Sequence, residues 1–233
     1  MLCPPYDSLP AVVDFFQNDP LFADSSCHIG LSAAESPQRI FEGGTGPQEA
    51  PEFAALRRRY LDLARSGELY NPRHPEDHRV LHMLFDNVFL DLYRARRGKF
   101  DLRKASPGGI CMPAQRRLYA RSDGRFFPCE RVPEYDIFCV GNYLDGVDVA
   151  KAYSLCASYV GMTPEACKNC WALLLCDMNC FRDAFDEHGP SPQRKAKACE
   201  ALRRHKSRLL SEMLYVLEGK ANGLQHLDAY VTR

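Results

Sequence analysis

Cysteine is the residue whose number and spacing stand out. The chain has 233 residues and eleven cysteines, nine of them between Cys111 and Cys199. Cys167, Cys170, Cys176 and Cys180 form C-x2-C-x5-C-x3-C; Cys111 lies upstream, Gly124-x4-Cys129 comes between, and Cys199 follows. A cytosolic chain keeps its thiols reduced, so clustered cysteines there serve metal or redox chemistry more often than disulfides. An odd count also leaves a stray thiol in any all-disulfide scheme, and a chain of this length does not need disulfides to supplement its core. Seven thiols at these separations exceed the four ligands of one tetrahedral ion and suit two sites, one of them incomplete. Structural zinc often takes paired knuckles or interleaved histidines, whereas this run holds one C-x2-C and no histidine. Iron–sulfur clusters take thiolates, and in two-cluster proteins the last cysteine of a run can serve the other cluster, the part Cys180 would play. Iron–sulfur chemistry is the favoured expectation and zinc the alternative.

Other residues carry less. His74, His78 and His82 recur every four residues, but Pro75 disturbs the first position and no HExxH pattern exists, so surface or half-buried imidazoles are expected. The basic runs 57–59, 94–99 and 203–208 read as solvated helix faces. Thirty basic residues balance thirty acidic ones, and a chain without a basic field is not expected to bind nucleic acid. Charge is unevenly spread: residues 1–52 carry eight acids and one base (−7), and 53–110 carry seven acids and twelve bases (+5). An acidic segment packed near basic helices is the expectation. The longest apolar run, Trp171 to Cys176, has six residues, far short of the ~20 a membrane helix needs. The N-terminus lacks a basic n-region and Asp14 breaks the stretch 11–16, so no signal peptide is expected and the cytoplasm is the expected compartment. Hydrophobic residues at 45% and charged residues at 26% are those of an ordinary globular chain, and the length allows one or two domains.

The elements that must position the cysteines can be read from periodicity and turn residues. Residues 9–18 form a short helix and 27–33 a strand candidate, while the Gly- and Pro-rich stretch 42–51 reads as a loop. Apolar spacing predicts helices over 49–65 and from Pro75 to about Gly98. Residues 116–121 and 125–129, joined by Ser122-Asp123-Gly124, read as a tight hairpin with glycine at the turn. Helices are expected over 145–159 and, as the longest, 191–219, with Leu202, Leu209, Leu210, Met213, Leu214 and Leu217 as the apolar face of the last.

Several phrases around the cysteines are distinctive: Arg117-Leu118-Tyr119, the run Asp123-Gly124-Arg125-Phe126-Phe127-Pro128-Cys129-Glu130-Arg131-Val132, Val140-Gly141-Asn142 and Cys170-Trp171-Ala172. With the order C-x12-G-x4-C, C-x2-C-x5-C-x3-C and a final Cys, the chain resembles the SPASM domain of radical SAM enzymes, in the branch that installs thioether or related crosslinks in ribosomally made peptides. The seven-cysteine likeness spans Cys111–Cys199. A looser likeness from Pro4 to Lys104 looks like the tail of the catalytic barrel plus a bridging region. The resemblance implies an α+β fold, mainly helical with a short β-hairpin, in two parts: a barrel-tail and bridging region over 1–104 and the auxiliary-cluster domain over 105–233. It also implies two [4Fe–4S] clusters, the first held by Cys111, Cys129 and Cys180 and the second by Cys167, Cys170, Cys176 and Cys199. The fourth position of the first would be Cys139 or a substrate thiolate, and Cys139 reads equally well as a small buried hydrophobe. Cys3, Cys27 and Cys156 read as structural thiols. Trp171 and Phe181 are expected to shield the second cluster. Glu130 stands where some relatives carry a catalytic acid, and a surface carboxylate or a weak salt bridge to Arg131 is expected here.

One departure bears on function. The SAM-cleaving cluster of that family is held by C-x3-C-x2-C, and no such spacing occurs here; after Cys176-x3-Cys180 the third position is Asp183. The residues before Cys111 are also too few for eight βα units, which need ~200 or more. The chain is therefore not expected to be catalytic alone, with SAM and its cluster in a missing or partner domain. The expected function is an auxiliary iron–sulfur domain that binds a substrate thiolate or accepts an electron. Its expected partners are a ribosomally made precursor peptide and, where the enzyme is split, a separate radical SAM subunit. The alternatives are a stand-alone electron-transfer or peptide-binding partner of such a subunit, and a zinc-stabilised interaction module.

Overall fold

The computed structural model describes residues 9–23, 51–71, 73, 78–97, 111–162, 164–176 and 180–231. In chain order these form helices α1 (Leu9–Asn18), α2 (Pro20–Ala23), α3 (Pro51–Ser66) and α4 (Arg79–Arg97). Strands β1 (Tyr119–Ala120), β2 (Phe126–Phe127), β3 (Gly141–Asn142) and β4 (Gly146–Val147) come next, then helices α5 (Val149–Gly161) and α6 (Pro164–Lys168). Strands β5 (Phe185–Asp186) and β6 (Gly189–Pro190) lead to the long α7 (Pro192–Gly219) and the short α8 (Asp228–Val231). The fold is mainly helical with short antiparallel strand pairs, an α+β arrangement at that level. Among the described residues no helix is long and apolar enough to cross a membrane.

The described residues fall into two compact units, one from residues up to Arg97 together with those from Leu209 onward, the other from Gly98 to Arg208. These bounds differ from the expected parts 1–104 and 105–233, since the last turns of α7 and the residues C-terminal to it join the first unit.

In the first unit α3 begins on Pro51, whose fixed φ suits a first helical turn, with Glu52 near its N-terminus and Arg65 near its C-terminus. Phe53, Tyr60, Leu61 and Ala64 of α3 are buried, as are Val80, Leu81, Phe85, Phe89 and Leu92 of α4. Tyr60 stacks on Phe89 at 5.7 Å between ring centres, and Phe53 meets Phe85 edge-on at 5.2 Å. Leu209, Met213 and Val216 of α7, with Leu224 and Leu227, are buried in the same unit. Arg57, itself 8% exposed, forks onto Glu212, its Nε donating to Oε1 at 2.9 Å. The buried stripe of α7 in this unit is thus 209, 213 and 216, and Leu214 is 58% exposed rather than part of it. The helix is apolar over a wide arc, and the side that is covered depends on what packs there.

In the second unit the hairpin β1–β2 pairs Tyr119 with Phe127, close to the expected span. A second hairpin, β3–β4, pairs Gly141 with Val147 and is stitched to the first by Val140 N–H to the Phe126 carbonyl at 2.8 Å. Residues 145–148 therefore belong to a turn, a strand and a cap rather than to the helix expected from 145. The helix α5 opens at Val149 with Asp148 as its cap, accepting from Lys151 N–H at 2.9 Å. Phe127, Val132, Phe138, Val140, Leu155, Tyr159, Phe181 and Phe185 form the core of this unit. The expected strand 27–33 and the helix start at Pro75 lie outside the described residues.

Candidate metal centre

The segments carrying the motif cysteines are short and irregular, and they are anchored on the core of the second unit. Cys129 follows β2, Cys167 lies in α6, and Cys176 follows the single 3-10 turn Leu173–Leu175. Cys180 precedes the 3-10 turn Phe181–Asp183, and Cys199 sits on α7. Cys170 N–H donates to the Cys167 carbonyl at 3.1 Å and Cys176 N–H to the Leu173 carbonyl at 3.2 Å, so backbone turns rather than long elements orient these thiols. All nine described cysteines are free thiols; Cys111 is exposed, Cys156 buried and the others half-buried.

Electrostatic coupling shows which thiols are neighbours. Burial, followed by the charges of Cys167 and Cys176, raises the Cys199 thiol, and Lys195 and Arg203 oppose that rise. Tyr159 lies beside the same three: its phenol is raised by burial first, then by Cys176, Cys199, Asp183 and Cys167. A separate neighbourhood holds Cys180 and Cys129. Burial and then Asp183 raise the Cys180 thiol, a backbone hydrogen bond from Arg182 lowers it, and Cys129 adds a further rise. The Arg131 N–H donates to the Cys129 sulfur at 3.4 Å, a contact that would orient a ligating sulfur. Cys167 and Cys176 thus act on the charge of Cys199, and Cys129 on that of Cys180, while among the described residues no set of motif cysteines comes within reach of one shared metal ion.

Other motif residues take places of their own. Cys170 is half-buried in the turn after Cys167. Cys111 influences Cys156, whose thiol is raised by burial and then by Cys111 and donates to the Met112 sulfur at 3.6 Å. Cys139 packs against the core and donates its S–H to the Gly141 carbonyl at 3.4 Å, a bond that ligation would break. Glu130 is ion-paired with Arg117 across the hairpin, not with Arg131. Phe181 is buried, meeting Tyr159 and Phe185 edge-on, whereas Trp171 is 55% exposed.

A second cluster of ligand-type residues lies in the first unit. His82 of α4 contacts Asp86 one turn on and is joined there by His226. The spacing of His82 and Asp86 is legible on a helix, but His226 is 140 residues from its partner, and no local pattern signals it. Of the other expected histidines, His74 lies outside the described residues and His78 precedes α4 with φ 59°.

No protein-family model, curated protein or solved structure matches the chain significantly.

Proposed function

We propose that this chain is the auxiliary iron–sulfur portion of a peptide-modifying radical SAM enzyme. In this reading Cys167, Cys170, Cys176 and Cys199 hold one [4Fe–4S] cluster, and Cys111, Cys129 and Cys180 hold three corners of another. The observation that carries it is the segregation of thiols. Cys167, Cys176 and Cys199 share an electrostatic influence on Tyr159, and Cys129 acts separately on Cys180, which supports two groups of thiols. The donor chemistry fits the group: half-buried thiols with cations or N–H donors beside them.

Such clusters, when bound, supply a one-electron reservoir and an iron able to take a thiolate. The residues of this chain hold and tune them. Lys195 and Arg203 offset thiolate charge at Cys199, as Arg182 does at Cys180. Lys195 is fixed for this, its ammonium donating to the Tyr159 carbonyl at 3.1 Å and lying 4.2 Å from that ring's centre. The SAM-cleaving centre, the precursor peptide and a cytoplasmic setting belong to the same proposal and rest on the motif resemblance.

The test is iron counting on anaerobically reconstituted full-length protein. About eight irons per chain are expected, with Cys199→Ala and Cys176→Ala each losing about half. Cys129→Ala and Cys180→Ala should diminish one and the same remaining signal in electron paramagnetic resonance. A colourless protein holding stoichiometric zinc would overturn the reading.

A further inference from the structure

His82, Asp86 and His226 converge in the first unit, their ligand atoms within 4.8 Å of one another. Their side chains are 13%, 8% and 4% exposed, so this is an internal polar site rather than a surface cluster. The hydrogen bonds around it fix where protons can sit. The Leu69 carbonyl can only accept, so its 3.1 Å contact puts the N–H of His82 on Nε2. Nδ1 then turns a lone pair toward both oxygens of Asp86, at 3.2 and 3.1 Å. A lone pair facing a carboxylate repels it unless a cation lies between them, either a second proton on the ring or a metal ion.

His226 brings Nε2 to 2.9 Å from Oδ1 of the same carboxylate. Its Nδ1 is buried without a hydrogen-bond partner, so only Asp86 itself would hold this ring in the Nε2–H form. Arg79 Nε is the other buried nitrogen without a partner among the described residues, and both residues line one cavity of about 320 Å³. Both nitrogens are shut off from solvent, so the described hydrogen bonds leave this internal polar site incomplete. Protons alone would make His82 a buried imidazolium against Asp86, with His226 donating from Nε2 as a neutral ring and the Arg79 guanidinium lining the same cavity.

We infer that His82, Asp86 and His226 form a binding site for a divalent first-row transition ion, with a remaining coordination position open to an oxygen ligand from the cavity beside Arg79. Two neutral imidazoles and a carboxylate suit such ions. The carboxylate already lies 3.1 and 2.9 Å from the two ring nitrogens, and because the ligand atoms spread to 4.8 Å, more than twice a bond of ~2.1 Å, the two imidazoles would draw together on an ion. The supporting contacts are those that hold metal ligands: Leu69 O on the far nitrogen of His82, and the Tyr60 hydroxyl donating to Asp86 Oδ1 at 2.9 Å. The site shares no residue with the cysteine centres and does not depend on them.

Zinc is the probe. It is added to full-length protein, both as purified and after anaerobic iron–sulfide loading, and retained zinc is counted after dialysis. The wild type should keep one zinc that His226→Ala and Asp86→Asn release, with the variants' far-ultraviolet circular dichroism unchanged. X-ray absorption at the zinc edge of the iron-loaded wild type should show a nitrogen and oxygen shell with imidazole scattering, a readout that requires no variant. No retained zinc, equal retention by the variants, or an all-sulfur shell would overturn the site. A chain that takes no iron yet shows the imidazole shell would sink the cysteine reading and leave this one standing.

Discussion

Tyr215 donates to Asp62 Oδ1 at 2.7 Å and Arg58 Nε donates to Oδ2 at 3.2 Å. The tyrosine bond foremost holds the Asp62 carboxyl below its ordinary value, and the same bond raises the Tyr215 phenol. A carboxyl depressed in the folded state contributes stability above its unfolded pKa, and that contribution is lost as pH falls through the folded one. Tyr215→Phe should therefore move the Asp62 midpoint upward in an NMR titration and flatten the acid limb of the stability curve; an unmoved midpoint would break the link. Residue-level legibility was uneven in a physically sensible way. The cysteine spacing is written locally, so it could be read without a fold. The partner of Glu130 could not, because a hairpin brings Arg117 across thirteen residues and leaves the adjacent Arg131 aside. Cys139 stood open in the sequence as ligand or packing residue. Its S–H bond to Gly141 predicts that Cys139→Ala keeps the iron content of the wild type and lowers the unfolding midpoint modestly; loss of iron would make the thiol a ligand.

The two hairpins show what local pattern can and cannot supply. Ser122-Asp123-Gly124 announces the first, and Gly124 has φ +86° as such a turn requires. The second hairpin has strands of two residues and carries its strain at Gly141, where φ is +140° and an added Cβ would stand 2.1 Å from the Gly146 carbonyl oxygen. Gly141→Ala should cost more than about 1 kcal/mol in urea unfolding. Gly161 ends α5 with nothing within 4 Å of an added Cβ, so Gly161→Ala should be neutral or stabilising by up to about 1 kcal/mol. Equal effects at both sites would contradict the steric account. Such short pairings fall below what alternation can signal, which is why residues 145–148 read as helix. The helices of 12 or more residues gave clear periods, yet the covered edge of α7 was set by packing: Lys206 is buried while Leu214 faces out.

At the scale of the whole chain, the first unit draws its core from both ends of the described sequence. Removing one side of a buried ion pair leaves the other charge uncompensated, so Glu212→Ala should destabilise this unit by about 3–5 kcal/mol. Leu227→Ala, at a fully buried position, should cost about 2–5 kcal/mol. Both are measured by hydrogen exchange across α3 and α4, where faster exchange is expected and unchanged protection would contradict the packing. No periodicity could announce that residues beyond Leu209 fold with α3 and α4, because closure over 150 residues of chain leaves no local trace. Composition joined to position gives the molecule one further property. Trp171 is the chain's sole tryptophan, it is exposed, and it directly follows Cys170. Its fluorescence therefore reports on a single place without any label. Emission should be red-shifted, as for a wet indole, and should be quenched in step with occupancy of the adjoining thiol site, which makes a simple emission titration a local gauge of metal loading.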